Sequence, residues 1–188
     1  LEAVQEALRA RLIQARLLAA NAYYEKARAF PEDSKEWKQT LEESTKRFAE
    51  IGDKYANKGG GLFARYYEGR NYALLKDYEK VVGALSGLVT IEGTSPLAIS
   101  LRARAINTTL ECLLAEKKYK DFTPEMRAFA LTKMPPARLD EEWLGLKYRA
   151  AALLVEAAAA AGDAKEEKQA QASARDRKST RLNSSHRT

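Results

Sequence analysis

The stretch Leu62–Val89, LFARYYEGRNYALLKDYEKVVGALSGLV, decides how the rest of the chain is read. In its first part Leu62, Tyr66, Tyr67, Gly69, Ala73 and Leu74 supply the small and aromatic residues of a closely packed helix. In its second part Tyr78, Val81, Val82, Leu85, Leu88 and Val89 recur at i, i+3, i+4 and i+7, the period of a helix face. Lys76-Asp77-Tyr78 stands between them, so the stretch predicts two short helices folded back on each other. Gly83 and Gly87 each cost a helix about 1 kcal/mol against alanine. Their spacing of four puts both on one face, where it predicts the close approach of a neighbouring helix.

Working toward the N-terminus, Glu2–Phe30 is nearly free of helix breakers. Leu8, Leu12, Ala15, Ala19 and Ala22 form one apolar stripe, with Val4, Arg11, Leu18 and Tyr23 beside it. Pro31 ends this helix, because the residue before a proline is pushed out of the α region. Asp33 or Ser34 caps a second helix over Ser34–Ala56, and Glu36 is placed to complete a capping box from Asp33. Trp37, Leu41, Ser44, Phe48 and Ile51 share its apolar face, opposite Lys35, Lys38, Glu42, Lys46 and Glu50. The run Asn57-Lys58-Gly59-Gly60-Gly61 is expected to stop it in a flexible turn. A nucleotide loop is disfavoured there, since no GK[ST] follows the glycines.

Toward the C-terminus, Gly93-Thr94-Ser95-Pro96 leads into a helix capped by Ser95, with Pro96 at its first position. It carries Leu97, Leu101, Ala105, Thr108 and Cys112, and runs to about Glu116. Lys117–Asp121 then takes the place that Lys76–Lys80 held before. A short helix Pro124–Thr132 follows the cap Thr123 and ends at Pro135-Pro136. Asp140 caps Glu141–Ala161, with Trp143, Leu146, Leu153 and the run Ala157–Ala161; Gly162-Asp163 turns the chain into a last helix, Ala164–Arg175. The chain thus gives about eight helices in antiparallel pairs, with the turn tyrosines Tyr78 and Tyr119 placed 41 residues apart. That interval lies within the range of helical-repeat arrays.

Residues 1–175 are taken as one helical-repeat domain, a fragment of something longer, because Leu1 already lies inside a helical pattern. Residues 176–188 are expected to form a disordered tail foreign to the fold. DRKSTRLNSSH at Asp176–His186 matches one reading frame of a sequencing adapter, and such a segment is set aside. Without the tail the 32 basic and 26 acidic residues become 28 and 25, and the net charge falls from +6 to +3. The one histidine, His186, goes with it, which excludes a Ser-His-Asp or Cys-His catalytic arrangement and a histidine zinc site. Carboxylate pairs such as Glu42-Glu43 and Glu141-Glu142 are adjacent in sequence and diverge on a helix. The lone Cys112 sits in an apolar run and reads as a buried thiol. No metal, cofactor or small-molecule substrate is expected, and no apolar run approaches the ~20 residues of a membrane span. The compartment is open between cytoplasm and periplasm.

Gly69 and Tyr72, Asp77-Tyr78 at the turn, then Val81, Leu85 and Leu88 resemble a tetratricopeptide-repeat unit. The turns at Lys118-Tyr119 and Gly162-Asp163 echo it, and AEIGDKYANKGGGLFARYYEGRNYALLKDYEK is similar to divergent repeats of bacterial envelope proteins. The resemblance implies an all-α fold of antiparallel helix hairpins stacked as a right-handed α-solenoid, with a peptide or another protein bound on the concave face. It points to Phe63, Tyr66, Arg70, Arg104, Asn107 and Glu111 as groove residues. Tyr66, Arg70 and Glu111 replace the lysines and asparagines of the family's carboxylate clamp, which is therefore not expected. The expectation is a non-catalytic binding scaffold. A spacer or self-assembly module is the alternative. Single-stranded RNA, stacking on Arg65, Tyr66, Tyr67, Arg70 and Tyr72, is a minor one.

Overall fold

The computed structural model describes residues 1–132, 142–162 and 165, and its regular structure there is helical, with no strand among the described residues. The helices are α1 (Glu2–Ala27), α2 (Lys35–Lys54), α3 (Gly59–Leu74), α4 (Tyr78–Val89), α5 (Pro96–Ala115), α6 (Pro124–Leu131) and α7 (residues 142–162). A 3₁₀ turn covers Tyr119–Asp121. The expected cap Asp140, the turn residue Asp163, most of the expected helix Ala164–Arg175 and the tail 176–188 lie outside the described residues.

Helix starts follow the side chains. Ser34, Asp77, Ser95 and Thr123 each accept a hydrogen bond from the backbone N–H three residues on, at Trp37, Lys80, Ala98 and Met126. Ser34 is therefore the cap of α2. Asp33 instead stands at φ 65° in the turn and pairs with Lys76 and Lys38. Two helix ends share one device. Lys76 (φ 61°) and Lys117 (φ 56°) are left-handed, and the next N–H reaches back five residues, from Asp77 to Tyr72 O and from Lys118 to Leu113 O, both at 3.0 Å.

Successive helices pack in opposite directions. Ala27 near the end of α1 clusters with Trp37 and Leu41 at the start of α2, while Ile13 clusters with Ile51 and Tyr55 at its end. Helix α3 returns along α2 through Asp53–Arg65, Phe48–Tyr67 (ring centroids 5.2 Å apart) and Ser44–Asn71. Helix α4 returns along α3, with Leu85 over Gly69. The odd-numbered helices also lie side by side and run the same way. Along α1 and the turn that follows it, Glu6, Ile13, Tyr24 and Asp33 meet Lys58, Gly60, Arg70 and Lys76 in that order. Gly59 faces Leu97, Tyr66 lies under Arg104, and Arg104 bonds Glu142, each pair 38 residues apart.

The largest core joins α4, α5, α6 and α7 around Leu85, Ile106, Leu110, Leu146 and Leu153, all fully buried. A smaller core holds α1 to α2 and α3. There a buried polar chain crosses three helices: Asn71 Nδ2 donates to Ser44 Oγ (3.1 Å), and Ser44 Oγ donates to the carbonyl of Ala20 (3.0 Å).

Several sequence expectations are corrected. The stripe Leu8, Leu12, Ala15, Ala19 and Ala22 is exposed, and α1 packs instead through Ile13, Leu17, Ala20, Tyr24 and Ala27. Gly59–Gly61 do not form a turn but open α3 behind an extended Lys58 (φ −114°, ψ 147°). A side chain at Gly60 would strike Ile13, and one at Gly61 the carbonyl of Tyr55, so the glycines serve close approach. Gly83 and Gly87 are the reverse case, since nothing lies within 4 Å of a Cβ built there. Gly162 is still helical.

Candidate functional site

The parallel run of α3 and α5 leaves an open groove of about 550 Å³ between them, lined also by Tyr78 of α4 and Glu142 of α7. Helix α3 contributes Tyr66, Tyr67, Arg70, Ala73 and Leu74, and α5 contributes Arg104, Asn107, Thr108, Glu111, Cys112 and Ala115. Both sets recur at three and four because each helix shows the groove one face. Five of the six residues expected from the sequence, Tyr66, Arg70, Arg104, Asn107 and Glu111, meet here; Phe63 does not line the groove.

The polar groups form a ladder across the helices. Arg70 Nη2 donates to the hydroxyl of Tyr24 (3.1 Å), and its guanidinium lies 5.2 Å from that ring. Arg104 lies 5.9 Å from the centre of the Tyr66 ring and donates from Nε to Glu142 at 2.8 Å. Arg149 of α7 donates to Asn107 Oδ1 (3.0 Å) and pairs with Glu111 (3.4 Å). Arg70 is thus the groove arginine with no carboxylate partner among the described residues.

Burial raises the Tyr66 hydroxyl above its ordinary pKa, against the pull of Arg70 and Arg104. It stays protonated at neutral pH and offers the groove a donor. Burial likewise pushes the Cys112 thiol from 9.0 up to about 12, with Glu111 adding to the rise. At neutral pH it is a packed thiol and not a nucleophile. Among the described residues no group of three His, Cys, Asp or Glu is placed to hold a metal.

Sequence reasoning missed Glu142, Arg149 and Tyr24. The signal for Glu142 was present as an interval, since it follows Arg104 by the 38 residues that separate Arg104 from Tyr66. Arg149 and Tyr24 needed the knowledge of which helices are neighbours. Among the described residues no helix is long and apolar enough to cross a membrane. No family model, curated protein or solved structure matches the chain. The class rests on the chain's own geometry: an all-helical protein with its odd helices in one parallel row.

Proposed function

We propose that the chain is a tetratricopeptide-like right-handed α-solenoid and a non-catalytic scaffold that holds a peptide or extended protein segment in the groove between α3 and α5. The observation that carries this reading is the row α1–α3–α5–α7. A constant direction along the row, with a 38-residue register from α3 to α5 to α7, is what stacked helix hairpins produce, with α2 and α4 as the second helices behind the row. Such stacking presents the first helices on one continuous face, and the groove lies on that face. Its lining suits a peptide better than a polyanion. Arg104 is paired with Glu142 and Arg149 with Glu111, so among the described groove residues Arg70 alone is left as unpaired positive charge for counterion release. Tyr66 supplies a rigid aromatic surface with a protonated hydroxyl, a residue type enriched among binding anchors.

The test is peptide display against the immobilised chain, followed by titration of the selected peptides with the Tyr66→Ala/Arg70→Ala variant. The expected loss is at least 30-fold in affinity, about 2 kcal/mol for a truncated anchor, with the helical circular dichroism unchanged. Selected peptides that bind the folded variant as tightly as the parent would remove the groove from the proposal.

A further inference from the structure

Helix α1 has two apolar faces, and the described residues cover only one of them. Ile13, Leu17, Ala20, Tyr24 and Ala27 face α2 and α3. At 100° per residue, Leu1, Val4, Leu8, Leu12, Ala15, Ala19 and Ala22 form a second stripe about 150° around the helix. That stripe is open: Val4, Leu8 and Leu12 are 62%, 60% and 47% exposed, and neighbouring Leu18 is 64% exposed. Residues 1–12 are all exposed, so the first three turns rest on little besides the Glu6–Lys58 ion pair.

We propose that the outward face of α1 is a homodimer interface, with α1 of a second copy laid against it antiparallel. The stripe is self-complementary when reversed. Its large residues lie in the first half and its alanines in the second, so Leu1 meets Ala22, Val4 meets Ala19, Leu8 meets Ala15, and the Leu12 side chains meet near the two-fold axis. Leu1, Leu8, Ala15 and Ala22 also keep a strict seven-residue spacing, the repeat that holds two helices in contact along a seam. A two-fold pairing of this kind is isologous and closes on itself.

The contact area agrees with a modest dimer. Twenty-two helical residues span about 33 Å. A strip about 14 Å wide along that length buries roughly 900 Å² over both copies, close to the ~1,000 Å² of a specific weak interface. Arg11 lies at the edge of the strip, where its stem can cover apolar surface while the guanidinium reaches solvent. This inference stands apart from the groove, which opens between α3 and α5.

Sedimentation equilibrium of the full chain gives the first test. The expected species is twice the 21.0 kDa monomer, with a dissociation constant of about 1–100 μM. Leu8→Glu should return it to monomer with helicity unchanged, because Leu8 is 60% exposed and belongs to no core cluster of the described residues. A disulfide then tests the direction. Leu8→Cys/Ala15→Cys should give an oxidised covalent dimer, while Leu8→Cys alone and Ala15→Cys alone should not. The buried Cys112 stays out of the exchange. A monomer throughout the micromolar range overturns the proposal, as does a dimer that survives Leu8→Glu. So would cross-linking by either single cysteine, which marks a parallel pair. Open-ended assemblies that grow with concentration through the exposed Leu144, Tyr148 and Val155 of α7 would overturn it as well.

Discussion

Helices α3 and α4 belong to one hairpin and each carries interior glycines, yet a methyl group added to them would meet different surroundings. On α3, a Cβ at Gly61 strikes the carbonyl of Tyr55 and one at Gly69 strikes Leu85. On α4, a Cβ at Gly83 or Gly87 meets nothing within 4 Å. The difference comes from place in the stack. Helix α3 is flanked by α1, α2, α4 and α5, whereas α4 packs on α3 and α5 and turns its glycine face to solvent. Spacing tells which residues share a face. It does not tell whether anything lies opposite.

Substitutions at these four positions can break that contrast. The largest effect is expected at Gly61, where the obstacle is backbone that cannot step aside. Gly61→Ala should destabilise by about 2–3 kcal/mol, the upper part of the usual overpacking range, read as a lower denaturant midpoint at unchanged slope. A loss below about 1 kcal/mol would mean that the α2–α3 turn yields more easily than its geometry implies. At Gly69 the obstacle is a side chain, so Gly69→Ala should cost less, about 1–2 kcal/mol. A double-mutant cycle sharpens the point: in a Leu85→Ala background the same methyl group should cost little. Equal costs in both backgrounds would show that Leu85 is not what it meets.

Gly83→Ala and Gly87→Ala should do the opposite and stabilise, each by up to about 1 kcal/mol, since an exposed helix gains propensity without a clash. A destabilisation at either position would show that this face is covered in solution.

The smallest effect at neutral pH concerns Cys112, packed between α4 and α5. Its folded pKa is raised to about 12 from 9.0. The stability it contributes is therefore fully present below about pH 9, and is lost as pH rises through about 12, because the unfolded thiol ionises first. Cys112→Ala should flatten that alkaline decline in chemical denaturation curves. An unchanged profile would assign the decline to other groups.

Much of the fold was legible because its signals are local. Ser95-Pro96 and Thr123-Pro124 start helices wherever they occur in a capping context, and Trp37, Leu41, Phe48 and Ile51 hold one face by period alone. Helix α1 was misread because it has apolar residues on two sides, and periodicity cannot choose the covered one. Gly59–Gly61 were misread because glycine signals a turn locally, whereas here the neighbours Ile13 and Tyr55 decide. For the groove, one helix face at a time could be inferred. The pairing of Arg104 with Glu142 and of Arg149 with Asn107 could not, because it depends on a third helix.

The chain of hydrogen bonds from Asn71 through Ser44 to Ala20 has a mechanical consequence. Sliding α3 along α2 by one turn, about 5.4 Å, would strand the buried Asn71 amide at about 1–3 kcal/mol, while Ser44 keeps its bond to Ala20. Shear between the first three helices is therefore resisted by a latch that tolerates no intermediate position. Across the groove, α5 is held to α4, α6 and α7 by the largest buried core, to which the part-exposed ion pairs Arg104–Glu142 and Arg149–Glu111 add about 0–1 kcal/mol each. A directional polar lock therefore sits on the α1–α3 wall of the groove, and apolar packing without such a lock holds the α5 wall.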